Sequence, residues 1–321
     1  MKLIITIDTE EDNWARYSAT DNPVRNIEKL IPLQKMFDRY QVRPTYLITY
    51  PVATNPGSVK ILKGFLANGT CEIGMHCHPW NTPPFEEEIN DINSMLCNLP
   101  EGLVHKKLTT LHQVICDNFG IVPVSFRSGR WGFSSAVARS LVALGYKVDT
   151  SVVPFFDWSE YHGPDYRDFQ LHPYRFDPDD IATPSDDGPL LQVPATVGFL
   201  QGNFKRCRQI SKMVESSMGK KLRLKGLLYS TRLLNNAWLS PEHADVDTMV
   251  KLVEQVRAQG LPVLNMSFHS TTLKAGLSPF AKNTEEKDLF FEKLSLILKF
   301  ICNSNDSVTL KEYAAIFKNS Y

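Results

Sequence analysis

With 321 residues, 43% of them hydrophobic, the chain can bury a sizeable core and fits either two ordinary domains or one large α/β barrel. Lysine plus arginine and aspartate plus glutamate total 35 each, which leaves no basic field for a nucleic-acid backbone or an anionic membrane. No run approaches the roughly 20 apolar residues of a membrane span, MKLIITID is too short for a secretory signal, and the six cysteines lack CxxC pairing, so free thiols and a cytoplasmic protein are expected.

LIITID (3–8) reads as a first strand, and Ile27, Leu30, Ile31, Phe37 and Tyr40 then recur at helical spacing over 24–40. PTYLITY (44–50) is the next strand, 57–68 a helix, and CEIGMH a third strand. Leu108, Leu111, Ile115 and Phe119 share one helical face. VPVSFR (122–127) gives strand four, 134–145 a helix closed by Gly145, and YKVDTSV strand five. Residues 154–205, rich in Pro, Asp, Tyr and Phe, show little periodicity. They open a loop-rich insertion to about 240, read either as an excursion over a site or as a packed surface insertion. Val246, Met249, Val250, Val253 and Val256 mark a helix ending near Gly260. LPVLNMSFH (261–269) is a buried strand, 285–302 an apolar helix, and VTLKEYAAIF repeats the theme. About seven strand-helix units imply a mostly parallel sheet, closed or nearly closed into a barrel within one domain.

Such folds place their chemistry at the carboxyl ends of the strands. Here the strand ends read IDTEED, GMHCHPW, FRSGRWG, VDTS and NMSFHS, which brings Asp8, Glu10, His76, His78, Arg127, Asp149 and His269 to one rim. His76 and His78, separated by one residue, point to the same side of a strand, as do Asp8 and Glu10, while Thr9 points away. Two imidazoles and a carboxylate form an open divalent-metal set. Glu10 is the first choice for the carboxylate, with Glu11 and Asp12 beside it in the same acidic turn. Trp80, Trp131, Trp158, Tyr161 and Tyr166 offer apolar platforms for a sugar or an acetyl methyl, or else ordinary core packing. His105, His112 and His243 are placed in helices away from the rim, and His162 and His172 in the insertion.

In order, TIDTEED, EIGMHCHPW, FRSGRWG, GYKVDTS and LNMSFHS resemble the motifs of the NodB-homology polysaccharide deacetylases of carbohydrate esterase family 4, nearest its WalW-like branch in lipopolysaccharide biosynthesis. The resemblance covers most of the chain outside 154–240. It implies a distorted (β/α)7 barrel with a long insertion after strand five, a divalent metal, usually zinc, and hydrolysis of N-acetyl or O-acetyl groups on a sugar or glycan precursor. It also implies roles: Asp8 as general base, Glu10, His76 and His78 as metal ligands, Arg127 as the orienter of the base, Trp131 as a lining residue, Asp149 as a catalytic acidic residue, and His269 as general acid. On this reading Asp149 keeps His269 protonated where the two meet. Thr9 stands where the family has a second aspartate, one residue rather than three separates the histidines, and Gly129 replaces a proline. The alternatives are a metal-dependent amidohydrolase acting on a non-sugar C–N bond, whose HxH pair usually sits on the first strand, and a non-catalytic sugar-binding relative.

Overall fold

The computed structural model describes residues 1–14, 16–215 and 234–318. Its first strand, β1 (Lys2–Thr9), shows how the fold sorts its side chains. Leu3, Ile5 and Ile7 join the large core beneath the helices, whereas Ile4 joins a second cluster with Leu47, Val148, Leu191, Val193 and Val263. Strand alternation thus assigns Ile4, Thr6 and Asp8 to one inner face. Helix Leu310–Ile316, started by a capping box between Thr309 and Glu312, plugs the apolar end of that face with Leu310 and Tyr313. Toward the other end the inner face turns polar, and the site lies there.

β1 lies beside β2 (Thr45–Ile48), followed by β3 (Glu72–Cys77), β4 (Ser125–Ser128) and β5 (Val148–Asp149), all parallel. A hairpin of β6 (Tyr174–Asp177) and β7 (Asp180–Pro184) leads into β8 (Leu190–Gln192), which pairs parallel with β5. β9 (Val197–Phe199) and β10 (Asn236–Trp238) form a separate antiparallel pair. β11 (Val263–His269) and the short β12 (Asp306–Ser307) both return parallel to β1. The parallel order β11-β1-β2-β3-β4-β5-β8 supplies seven strands, six of them read from the sequence and the seventh, β8, lying in the segment read as a loop-rich insertion. Between β8 and β11 the closure is irregular: Thr196 N–H donates to the Asn265 carbonyl at 3.0 Å, and Leu239 N–H to the Thr196 carbonyl at 2.8 Å.

The helices fall where periodicity placed them: Leu30–Arg39, Pro56–Ala67, Glu101–Phe119, Ser135–Ala143, Val246–Ala258 and Thr284–Cys302. Side-chain caps start three of them, Asn55 bonding to Ser58 N–H, Asp245 to Thr248 N–H and Asn283 to Glu286 N–H. The segment after the fifth strand differs from a loop-rich excursion, since it contributes β8 to the barrel itself. Three residues are too few for a period-2 pattern to show in sequence. The 216–233 part of the insertion lies outside the described residues. Among the described residues, no helix is long and apolar enough to cross a membrane, and all six cysteines are free thiols.

Candidate active site

At the carboxyl ends of β1, β3, β4 and β11 a cavity of about 380 Å³ opens, lined by Asp8, Glu10, Glu11, His76, His78 and His269 and walled by aromatic rings. Volumes of this size suit a small-molecule ligand. Asp8 and His269 are register partners on adjacent strands, with Asp8 Oδ2 3.7 Å from His269 Nε2. Beneath Asp8 lies Arg127, wholly buried on β4. Its Nη1 donates to Asp8 Oδ1 at 2.6 Å, Nη2 to Thr6 Oγ1 at 2.6 Å, and Nε to the Thr150 carbonyl at 3.1 Å. The Trp131 ring covers the guanidinium at 4.9 Å. The arginine is thereby fixed from β1 and from the residue that follows β5, and aimed at one carboxylate.

His76 Nδ1 lies 3.0 Å from the Arg127 carbonyl. A carbonyl only accepts, so Nδ1 carries the hydrogen, and Nε2 is the atom left facing the cavity, where the neutral ring would offer its lone pair to a cation. The two Nε2 atoms of His76 and His78 stand 2.8 Å apart, and Glu10 Oε2 lies 3.8 and 3.4 Å from them. Among the described residues this is the group of three donors that converges within 4.8 Å. Ligand atoms on a tetrahedral zinc at about 2.0–2.1 Å stand roughly 3.3 Å from one another, a spacing these three separations straddle. Two imidazole nitrogens and a carboxylate therefore fit a divalent cation. Glu10 is the acid in position. Asp12 instead caps the turn at Arg25 and Asn26, its Oδ1 accepting from the Asn26 backbone N–H at 3.0 Å. Glu11 accepts from Trp80 Nε1 and Thr49 Oγ1, both at 3.3 Å, and stands 3.8 Å from His78 Nδ1, which has no hydrogen-bond partner.

No family model matches the sequence, and neither does any curated protein. Solved structures do match. One is a protein assigned as a polysaccharide deacetylase from Mycobacterium smegmatis, at TM-score 0.55 and 15% identity, over 98% of this chain and 88% of that one. Another, from Parabacteroides distasonis, is assigned as a glycoside hydrolase/deacetylase and matches at TM-score 0.59 and 11% identity, over 100% and 72%. The chain shares the polysaccharide deacetylase fold. A GH57 branching enzyme from Thermococcus kodakaraensis shares it too, at TM-score 0.54 and 8% identity over 99% and 72%, so this fold is not tied to one chemistry.

Within that fold the electrostatics set Asp8 and His269 to opposite protonation states. Burial disfavours a charged Asp8, but the Arg127 guanidinium, with His76 and His269, outweighs it and holds the carboxyl below its ordinary value. Burial likewise disfavours a charged His269, yet Glu242 overcomes it and raises the ring to about 10. Glu242 Oε2 lies 2.9 Å from His269 Nδ1, and its Oε1 accepts from the His269 backbone N–H at 3.0 Å and from Thr272 Oγ1. Burial and the charge of Glu10 push Glu11 up to about 7.

Asp149 does not meet His269. Strand parity decides this: Val148 belongs to the inner cluster, and Asp149, one residue later, faces the other way. Its carboxylate accepts from Ser151 N–H at 2.9 Å and Ser151 Oγ at 2.6 Å, and Ser151 Oγ in turn accepts from Ser128 N–H at 2.8 Å. Burial pushes Asp149 up to about 7. Trp80, Trp131, Trp158 and Tyr161 line the cavity, while Tyr166 is buried and donates to the Trp131 carbonyl at 2.5 Å. His243 is not helical. It lines the cavity, stacked on Trp238 at 5.1 Å. His162 and His172 do not line it. Sequence reasoning missed Trp14, Tyr17, Arg130, Trp238, Glu242 and Phe280. The sole signal for Glu242 was an acid beside a histidine in the turn SPEHAD.

Proposed function

We propose that the protein is a metal-dependent hydrolase that removes an acetyl group from an N-acetylated or O-acetylated sugar. It would be a WalW-like NodB-homology deacetylase acting on a cytoplasmic precursor of cell-surface polysaccharide or lipopolysaccharide. One observation carries the reading: a carboxylate held ionised stands 3.7 Å from an imidazole held protonated, beside three converging metal donors. Amide hydrolysis needs this pair of opposites, because water must lose a proton and the amine must gain one.

Glu10, His76 and His78 hold the cation, for which zinc suits the donor set. When bound it supplies Lewis acidity toward the acetyl oxygen and an acidified water. Asp8 accepts the proton of the attacking water through the oxygen not committed to Arg127. Arg127 keeps that carboxylate ionised and oriented. His269 donates from Nε2 to the departing nitrogen or oxygen, while Glu242 fixes the hydrogen on Nδ1 and supports the charged ring. Asp149 acts at one remove, through Ser151, on the backbone that carries Arg127. Trp80 and Trp131 wall the cavity against water and offer flat faces to a sugar.

The branching enzyme's fold raises glycosyl transfer as a rival, which uses two carboxyl groups flanking the glycosidic bond, one as acid. Here Asp8 is tied to Arg127 and Glu242 to His269. Neither is free to serve as a protonated acid, and Glu11, the cavity acid that burial pushes up to about 7, is engaged by Trp80 Nε1 and Thr49 Oγ1. The test is metal analysis of the purified protein beside a His76→Ala, His78→Ala double variant, followed by acetate release from acetylated sugars. About one equivalent of cation, lost in the variant, is expected. No metal after zinc loading overturns the reading, as does metal binding with no acetate released from any acetylated sugar.

A further inference from the structure

Among the described residues, Arg130 is the one arginine or lysine that lines the cavity. The chain reaches it through an unusual turn. Arg130 (φ 52°) and Trp131 (φ 61°) are consecutive non-glycine residues in the left-handed region, a conformation unfavourable for L side chains. This turn follows β4 directly. It lets Arg127 stay buried under Asp8 while Trp131 folds over it and Arg130 comes to the cavity wall.

The guanidinium is anchored by one nitrogen. Nη1 donates to Tyr17 Oη at 2.6 Å, to Ser94 Oγ, and weakly to the Asp91 carbonyl at 3.5 Å. Every one of these acceptors is a neutral oxygen, and no carboxylate oxygen of the described residues lies within 4.0 Å. The Asp91 carboxylate is instead engaged by the Tyr17 hydroxyl at 3.0 Å. Two of the cavity's acids, by contrast, have cations of their own, Asp8 in Arg127 and Glu242 in His269, while Glu10 stands among the metal donors, 3.8 and 3.4 Å from His76 and His78. Glu11, the remaining acid, accepts instead from Trp80 Nε1 and Thr49 Oγ1, both at 3.3 Å. Among the described residues, Arg130 is therefore a cation without a carboxylate partner in a partly buried wall, clamped at one corner through Nη1, with Nε and Nη2 uncommitted.

We infer that the sugar carries an anionic group, phosphate or carboxylate, which Arg130 binds through Nε and Nη2 in a planar, two-pronged contact. The inference rests on the acetyl-sugar reading and narrows its substrate class to acidic sugars. Asp91, Ser94 and Tyr17 hold the fork in place before substrate arrives, so little side-chain freedom is lost on binding.

The test is calorimetric binding to the full, metal-loaded chain stalled by Asp8→Asn, with and without Arg130→Gln. The probes are N-acetylglucosamine, N-acetylglucosamine 1-phosphate and N-acetylglucosaminuronic acid. One charged sugar is expected to bind on the order of tenfold to a hundredfold more tightly than the neutral one, and which one it is separates phosphate from carboxylate. Arg130→Gln should erase that preference while leaving the neutral sugar's affinity within about twofold, and Arg130→Lys should restore part of it. Equal affinity for all three sugars, a preference that survives Arg130→Gln, or a loss shared equally by all three would overturn the anionic subsite and leave the acetyl-sugar reading standing. Binding of none of the three would overturn that reading and the inference with it.

Discussion

Replacing Glu242 by glutamine removes a charge and keeps a shape. In the intact protein, burial opposes the imidazolium of His269, and Glu242 is the leading influence that overcomes it and takes the ring to about 10. Without that charge, burial acts against only the weaker pull of Glu10 and Asp8. The ring should then fall back toward its ordinary value of 6.5 or below. The acid form of His269 is the working form, so activity is lost as pH rises through its pKa. At pH 8 a group at about 10 is almost wholly protonated and one at 6.5 only about 3% so, a loss of roughly thirtyfold, whereas at pH 6 the loss is under about twofold. Acetate release across pH 5 to 10 would show the alkaline limb moving down by roughly three to four units. A ring-proton NMR titration of His269 would show the same shift without relying on turnover. An unmoved limb, or an equal loss at every pH, would refute the assignment of Glu242 as the residue that sustains the acid.

Three further outcomes are expected. Asp8→Asn should keep its metal and lose on the order of a hundredfold or more in rate, and near-normal turnover would rule out Asp8 as the base. Gly129→Ala would set a methyl 2.3 Å from His78 Cδ2 and 2.7 Å from the Cys77 carbonyl. It should cost about 1–3 kcal/mol in thermal unfolding and weaken zinc binding by moving His78, and unchanged zinc affinity would count against His78 as a ligand. Lys107, fully buried, lies 2.7 Å from Glu87 and donates to the carbonyls of Pro79, Thr82 and Pro84. Lys107→Met should therefore destabilise by about 3–5 kcal/mol in urea unfolding, and a loss below about 1 kcal/mol would show the cluster to be solvated.

Much of the site was legible because strand ends are legible. Ile4, Thr6 and Asp8 fall on one face by simple alternation, and an apolar run that ends in polar residues marks where a barrel strand meets its mouth. Parity along a two-residue strand was not legible. YKVDTSV offers Asp149 and its neighbours with nothing to say which faces inward, and Val148 and Thr150 turn out to do so, with Thr150 Oγ1 accepting from Asn265 Nδ2 at 2.8 Å. Glu242 was hidden for a different reason. It sits in a turn after a three-residue strand, and its meeting with His269 depends on how β10 and β11 are brought together, which no local pattern encodes. Gly129 reads in sequence as a missing proline, and in the structure as the room His78 needs.

The register that faces Asp8 with His269 also sets when the site can first exist. The base is carried by the first strand and the acid by the eleventh, and their partnership is made by the backbone ladder between those two strands. A nascent chain carries Asp8, Glu10, His76 and His78 long before β11 emerges, and so carries the base and the metal donors while still lacking His269. The pairing that completes the catalytic couple has among the longest sequence separations in the sheet, and loop-closure entropy places such contacts late in folding. Catalytic competence would then arise in one step with barrel closure, and any partly folded species would be inert toward the sugars around it.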